Sequence, residues 1–280
     1  MSNIATLINS ERRNFMKVRS ADGVSVAYRA VGSGKPAIVF IHGFCCDQSY
    51  WDVQVPHFAR HYKVVTIDLA GHGESGLDRK TWTGRAFGDD VVAVVKELNF
   101  DRVALIGHSM GGSVIAQAAR QMPECVMGLV GVDTYRDVEQ TRDRRQTEQF
   151  LSALQANFVD TMRRFVKDRF TPGSDPVLVK RVAAGMSSAS PEVASGIVRD
   201  MFLESLPLAS VFEEVKAPIR CIASDRNTVN IEAALRHASS FQVVYMSDVG
   251  HFVMMEDPDT FNRLLGEIVK ELVSYQAEAT

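Results

Sequence analysis

Short apolar segments alternate with amphipathic segments over the first 132 residues, and this alternation constrains the fold more than any other feature. Clear examples of the apolar segments are Ala37–Ile41, Lys63–Asp68 and Val126–Val132. Strands that are apolar along their whole length are typical of a parallel sheet whose two faces are covered. Stretches with helical spacing separate these segments, so the sequence predicts repeated strand–helix–strand units. The expected class is α/β, with a mostly parallel sheet flanked by helices.

The other elements follow from the same patterns. A hairpin is predicted around Asp22 and Gly23, because Asp-Gly is a strong turn signal. The predicted helices cover about 50–60, 84–98, 111–121 and 258–275, and the further strands cover 16–20, 24–31, 103–107, 219–223 and 241–246.

The alternation stops within residues 134–212, where the sequence is helical and charged. We therefore expect a core domain of residues 1–133 and 213–280, interrupted by a helical cap, or lid, at 134–212. The charged run 136–148 is expected to be a solvated helix face. Six large apolar side chains of the insertion suit either a pocket lining or core packing: Phe150, Phe158, Phe165, Met186, Met201 and Phe202.

Charge and composition exclude several classes of partner and cofactor. With 31 Lys+Arg against 34 Asp+Glu, the chain offers no broad basic surface, so neither nucleic acid nor a membrane is an expected partner. The longest apolar runs are strand-length, and the first fifteen residues lack the apolar segment of a secretory signal, so a cytoplasmic protein is expected. The sequence has no zinc-ligand spacing, P-loop or dinucleotide fingerprint, so no metal and no cofactor is expected. Its four cysteines are too few for a disulfide framework, and Cys45 and Cys46 are expected to pack.

The segment Gly107-His108-Ser109-Met110-Gly111 carries the strongest chemical signal. It fits G-x-S-x-G, and it has the required context of a preceding strand and a following helix. A serine on such a tight turn needs small neighbours, and the start of the helix favours negative charge near its hydroxyl. Ser109 is therefore the candidate nucleophile.

A serine hydroxyl is a weak nucleophile until a base takes its proton. Among the seven histidines, His251 follows the last predicted strand, which agrees with the order serine, acid, histidine of enzymes with this elbow. His57, His61 and His237 are expected at the surface, and His108 is expected to pack or bond locally. His42 is expected to order the loop after the third strand, where the Phe44 N–H would form an oxyanion hole with the Met110 N–H.

Four segments, FIHGF, DLAGHGES, GHSMGG and VGHFVMMEDP, resemble the α/β-hydrolase family in their order and spacing. The resemblance implies an eight-stranded, mostly parallel sheet whose second strand is antiparallel. It also implies Ser109 as nucleophile, His251 as base, and the Phe44 and Met110 amides as oxyanion hole. Because dehalogenases and epoxide hydrolases carry an aspartate where Ser109 stands, their chemistry is not expected.

Two aspartates are candidates for the acid that orients His251. Most family members place it after the strand that precedes the histidine strand, where this chain has Asn227, two residues beyond Asp225. Asp133 closes the apolar run before the insertion, and some family members are similar in carrying their acid at this strand end. Asp133 is the preferred acid and Asp225 the alternative, although Asp133 could instead cap the following turn.

The sequence thus predicts a serine hydrolase that cleaves a small or medium carboxylic ester, or a related acyl compound, through a Ser-His-Asp triad and an acyl-enzyme. Its partner would be a small-molecule substrate, and the oligomeric state stays open. The alternatives are a C–C bond hydrolase of ring-cleavage products, a cofactor-free dioxygenase, and a receptor of the same fold that holds a ligand without converting it.

Overall fold

A central sheet organises the described part of the chain, residues 15–204 and 207–278 of a computed structural model. Its strands are β1 Met16–Arg19, β2 Ser25–Val31, β3 Ala37–Ile41, β4 Lys63–Asp68, β5 Val103–His108, β6 Val126–Val132, β7 Ile219–Ser224 and β8 Phe241–Met246. They form an eight-stranded sheet in the order β1-β2-β4-β3-β5-β6-β7-β8. β2 pairs antiparallel with β1 and β4, and the other neighbouring strands are parallel. The expected mostly parallel sheet with an antiparallel second strand is confirmed.

Helices flank this sheet and fill the insertion. Before the insertion they are α1 Gln54–Phe58, α2 Gly84–Glu97 and α3 Met110–Ala119. Within it they are α4 Arg144–Ala156, α5 Phe158–Lys167, α6 Pro176–Ser187, α7 Pro191–Ile197 and α8 Ala209–Phe212, with a π-helix at Val198–Leu203. After it they are α9 Ile231–His237, α10 Val253–Glu256 and α11 Pro258–Glu278. Among the described residues, no helix combines the length and the apolar character needed to cross a membrane.

The continuous apolar runs become the fully buried strands of the sheet. Every residue of β3, β5, β6 and β7 is buried, whereas the edge strand β8 has exposed positions. Helices α2 and α3 pack on each other, and α11 packs on β6, β7 and β8. The core is therefore the sheet sandwiched by helices, as runs without polar alternation predict.

The helix predicted over residues 50–60 is divided in two. A 3₁₀ turn at Gln48–Trp51, capped by the Asp47 side chain, precedes α1. Pro56 gives the physical reason: it has no N–H for the Asp52 carbonyl, and its ring crowds that carbonyl. A continuous α-helix cannot pass this point without a kink.

The parallel strands β3, β5, β6, β7 and β8 bring their carboxyl ends to one edge of the sheet. Chain segments that lie far apart in the sequence meet there, as is usual for sites in sheets of this kind. The predicted site residues that follow these strands are Phe44, Ser109, Asp133, Asp225 and His251.

Candidate active site

Ser109 lies at the tight turn between β5 and α3. Its backbone has φ 53° and ψ −114°, a conformation that is unfavourable for a residue with a Cβ atom. The Ser109 N–H donates to the Val132 carbonyl over 2.9 Å, which ties the turn to β6. A Cβ atom on Gly107 would lie 2.3 Å from the Gly111 carbonyl oxygen, so the turn requires glycine there. The surrounding backbone therefore holds Ser109 in a strained conformation.

The segment that follows β3 packs directly against this turn. A Cβ atom on Gly43 would lie 3.3 Å from the Ser109 Cβ, so glycine permits the close approach. His42 fixes the segment, because its Nε2 accepts the Leu69 N–H over 3.0 Å while its Nδ1 lies 2.8 Å from the Gly43 carbonyl oxygen. As expected from the sequence, His42 orders the loop.

The two amides predicted for the oxyanion hole belong to backbone segments that adjoin Ser109. Phe44 follows Gly43 in the loop, and Met110 is the first residue of α3. The first N–H groups of a helix have no partner within the helix, so the Met110 N–H can bind an anion. Both amides are therefore suited by location to a negative charge that develops beside Ser109.

His251 and Asp133 are in direct contact at the same sheet edge. The His251 Nδ1 lies 2.5 Å from Asp133 Oδ2, and the Asp133 side chain is fully buried. Ser224 donates its N–H to Oδ1 over 2.8 Å, and Asn227 donates from Nδ2 to Oδ2 over 2.6 Å. A buried carboxylate is tolerated only when such hydrogen bonds replace water. The Asp133 carboxylate thus contacts three groups, the His251 imidazole, the Ser224 N–H and the Asn227 amide, whether or not it also caps a turn.

The alternative acid, Asp225, does not reach His251. Its side chain is exposed, and its N–H donates to the Met246 carbonyl over 3.0 Å in line with the pairing of β7 and β8. Asn227, which stands where an acid is common in the family, turns its amide towards Asp133. The segments that follow β6 and end β7 are therefore linked, because Asp133 supplies a carboxylate and Ser224 and Asn227 supply its donors.

Hydrogen bonds to its backbone N–H and carbonyl groups hold His251 in place. Its N–H donates to the Arg169 carbonyl of the insertion over 2.7 Å, and its own carbonyl oxygen lies 3.0 Å from His108 Nε2. The two imidazole rings are 4.6 Å apart between centroids. Burial and the neighbouring His251 hold the pKa of His108 well below its usual range, so His108 is a neutral donor from Nε2.

Ser109 and His251 line a common cavity of about 1590 Å³, whose wall includes both the sheet edge and the insertion. Within the described residues, the Ser109 hydroxyl makes no hydrogen bond to the His251 imidazole. Contacts of this kind are often long without substrate and tighten when it binds. The arrangement thus places a serine hydroxyl and a carboxylate-bound imidazole in one space large enough for an organic ligand.

The apolar side chains singled out in the insertion divide between cavity and core. Phe150, Phe165, Met201 and Phe202 line the cavity, whereas Phe158 and Met186 are packed in the core away from it. Helical spacing could not separate these two groups, because both sets face inward from their helices.

Arg142 and Arg169 belong to the cavity wall, but no motif in the sequence marks them as site residues. The run 136–148 is mostly exposed, as expected for a solvated face, but it is not one helix face, because α4 begins only at Arg144. The exposed Arg142 precedes this helix, and its guanidinium lies over the Phe202 ring. Arg169, near the end of α5, lies over Phe165. Both arginines line the cavity.

The remaining histidines and cysteines lie outside this arrangement. His57 and His61 are exposed, as expected, whereas His237 is half-buried between Glu139 and Glu213. Cys45 and Cys46 are buried, unpaired thiols. Over the part of the chain that the structure describes, no group of three or more His, Cys, Asp or Glu side chains is placed to hold a metal ion.

The sequence matches the model of a known family over most of its length. Residues 38–264 match the alpha/beta hydrolase family. A strigolactone esterase from Pisum sativum is 27% identical over 219 residues, which cover 74% of this chain and 80% of that protein. A karrikin insensitive 2 receptor from Petunia hybrida is 25% identical over 250 residues, which cover 82% of this chain and 90% of that protein.

Two further comparisons differ in coverage. Uncharacterized proteins of Mycobacterium are 34% identical over 115 residues, so the alignment spans about a third of their length and 41% of this chain. An esterase structure from Thermogutta terrifontis, with malate bound, superimposes with a TM-score of 0.81 at 21% identity and covers 92% of this chain and 99% of its own. At that identity the superposition shows a shared fold.

Proposed function

This chain belongs to the alpha/beta hydrolase family, and we propose that it is a serine hydrolase that cleaves a carboxylic ester through an acyl-enzyme. The observation that carries the proposal is the 2.5 Å contact of His251 Nδ1 with Asp133, in a cavity that Ser109 also lines. A nucleophile, a base and an acid that orients the base are the groups that acyl transfer needs.

In the first step, the Ser109 Oγ attacks the ester carbonyl carbon while His251 Nε2 accepts the hydroxyl proton. The carbonyl oxygen becomes an oxyanion, which the Phe44 and Met110 N–H groups stabilise; each such donor lowers a barrier by about 3–4 kcal/mol. Asp133 keeps the Nδ1–H in place and stabilises the imidazolium. His251 then returns the proton to the leaving alcohol, and the acyl group stays on Ser109.

In the second step, a water molecule takes the place of the alcohol. His251 accepts a proton from this water while its oxygen attacks the acyl-enzyme carbonyl, and the oxyanion forms again in the same site. Collapse of the intermediate returns the proton to Ser109 Oγ and releases a carboxylic acid. Water and ester are consumed, alcohol and acid are produced, and every proton moves through His251.

We assign the insertion, residues 134–212, as the cap of this site. It contributes Phe150, Phe165 and Phe202 to the cavity wall, and such rings suit the apolar part of an ester. A cavity of about 1590 Å³ is larger than the roughly 300–1,000 Å³ of pockets for drug-sized ligands. We therefore expect the cavity to accept esters with medium-sized acyl or alcohol groups.

A receptor that binds a ligand without turning it over is the second candidate, because the Petunia relative is named a receptor. A fluorophosphonate probe distinguishes the two, since it labels only an activated serine. We expect labelling of the wild-type protein and none of Ser109→Ala. A panel of p-nitrophenyl esters from acetyl to octanoyl, with a vinylogous diketone for the C–C hydrolase alternative, then identifies the reaction. An unlabelled wild-type protein that hydrolyses no member of the panel would refute the serine hydrolase proposal.

A further inference from the structure

Arg142 and Arg169 line the cavity that contains Ser109 and His251, and neither is in an ion pair with a described residue. Arg169 donates one N–H to the Phe165 carbonyl over 2.7 Å, while the Arg142 guanidinium lies over the Phe202 ring. Their remaining guanidinium N–H groups have no acceptor among the residues that the structure describes. Two cations that form no ion pair with a described residue thus share the wall of the candidate active site.

Their positions are tied to the oxyanion residue through two aromatic rings. The Phe44 ring centroid is 6.1 Å from that of Phe165 and 5.4 Å from that of Phe202. The Arg169 Cζ lies 3.2 Å from the Phe165 centroid, and the Arg142 Cζ lies 4.1 Å from the Phe202 centroid. One aromatic ring therefore separates each guanidinium group from Phe44. This ring is Phe165 for Arg169 and Phe202 for Arg142.

Among the described residues, no acid of the same cavity forms an ion pair with Arg142 or Arg169, although the charges of Asp168 and Asp133 act on Arg169 and oppose the lowering of its pKa. Asp133 contacts His251, Asp143 caps α4, and Asp200 binds Trp82 and Arg199. Burial and the charge of Arg142 lower the pKa of Arg169 to about 10, and burial lowers that of Arg142. Both groups remain cationic at neutral pH, so an anion that enters the cavity would meet two positive charges, one on the exposed Arg142 and one on the half-buried Arg169.

We propose, building on the hydrolase function proposed above, that Arg142 and Arg169 bind a carboxylate group of the substrate. The substrate class is then an ester that carries a free carboxylate besides its scissile bond. Because each guanidinium lies over an aromatic ring, its N–H edge stays available to a ligand. That edge matches the two oxygens of a planar carboxylate in a bidentate contact.

The test compares monomethyl esters of glutarate, adipate and suberate with the same esters capped as amides at the free end. The wild-type protein should prefer the charged member of the best pair by about tenfold or more in kcat/KM, because a hydrogen bond to a charged group discriminates by roughly 10- to 100-fold. This charged-to-neutral ratio should fall towards one in Arg142→Gln and Arg169→Gln. Arg145→Gln, which removes an exposed arginine that does not line the cavity, should keep the ratio.

Calorimetric binding of monomethyl suberate to Ser109→Ala provides a second readout that needs no turnover. The affinity for monomethyl suberate should fall about tenfold or more when Arg142→Gln is added. It should recover only in part with Arg142→Lys, because lysine keeps the positive charge but lacks the paired N–H donors of a guanidinium group. Equal handling of charged and capped esters, or a ratio that survives in both arginine variants, would overturn the carboxylate site. Such a result leaves fluorophosphonate labelling of Ser109 intact, so it is distinguishable from failure of the hydrolase proposal.

Discussion

Asn227 donates a hydrogen bond from Nδ2 to Oδ2 of Asp133, the oxygen that also contacts His251 Nδ1. The residue at the end of β7 is therefore a neutral donor to the carboxylate that follows β6. An amide in this position supports the negative charge of Asp133 without competing with it for the imidazole.

We expect Asp133→Asn to lower kcat by up to roughly 10⁴-fold, because an amide cannot stabilise the imidazolium and can favour the wrong tautomer. Asp225→Asn removes a carboxylate of the same type from an exposed position and should leave kcat within about threefold of wild type. Stopped-flow or steady-state hydrolysis of the best p-nitrophenyl ester measures both. Near-wild-type activity of Asp133→Asn would exclude Asp133 as the acid.

A second carboxylate at position 227 should behave differently in two backgrounds. Asn227→Asp alone places two carboxylates together, which raises the pKa of one of them and removes a donor to Asp133, so kcat should fall by about tenfold or more. In the Asp133→Asn background the same change restores one negative charge to the site. We expect the double variant to regain at least about tenfold of the kcat that Asp133→Asn loses. A double variant no faster than Asp133→Asn would show that a carboxylate at the end of β7 cannot serve His251.

The choice between Asp133 and Asp225 shows where sequence reasoning reaches its limit. The strands, the elbow and the position of His251 could be predicted, because continuous apolar runs and a glycine-bounded serine each have a specific physical cause. Counting residues along the loop after β7 could not show that Asn227 folds back towards Asp133, since that contact joins residues far apart in the chain. The three-dimensional position of a loop carboxylate is set by tertiary hydrogen bonds that leave no periodic pattern.

The cavity residues of the insertion were the least predictable for a related reason. Arg142 belongs to a run of mixed charges that is typical of a solvated face and is exposed like its neighbours, but its guanidinium lies over the Phe202 ring. Pro56 illustrates the opposite case. Proline at this position is plain in the sequence, but the prediction of one helix over residues 50–60 takes no account of its missing N–H.

A buried ion pair outside the site gives a prediction for stability. Arg79 contacts Asp90 at 2.6 Å with both side chains buried, and it contacts Asp22, which is 40% exposed, at 2.7 Å. Arg79→Met leaves Asp90 as an uncompensated buried charge and should lower the free energy of unfolding by about 3–5 kcal/mol. Asp22→Asn leaves the buried pair intact and should cost less than about 1 kcal/mol. Urea unfolding followed by circular dichroism tests the difference, and equal losses would contradict this assignment of the charges.

Three buried histidines should make the protein sensitive to acid. Burial lowers the pKa values of His42, His72 and His108, that of His72 to about 3. An unfolded histidine takes up its proton near pH 6.5, so below this pH the unfolded state binds more protons than the native state. The free energy of unfolding should therefore be fully retained above about pH 6.5 and fall on acidification, by up to about 1.4 kcal/mol per pH unit for each histidine that stays neutral.

Urea unfolding between about pH 7.5 and pH 5 measures this slope. His72→Phe should make it shallower, because the ring volume is retained while one proton-binding site of the unfolded chain is lost; the His72 Nε2 has no hydrogen-bond partner among the described residues. His61→Gln, which removes an exposed imidazole, is the matched control. A slope that is the same in His72→Phe and in wild type would count against a neutral, buried His72.

The hydrogen bond from the His251 N–H to the Arg169 carbonyl makes the insertion part of the structure that positions His251, the proposed base. A chimaera that exchanges this insertion for that of another hydrolase therefore changes more than substrate choice. Such a chimaera keeps His251 in position only if the grafted segment places a carbonyl oxygen where the Arg169 carbonyl now accepts the His251 N–H. Segment boundaries for such grafts are best placed so that the turn carrying Arg169 stays with its original core.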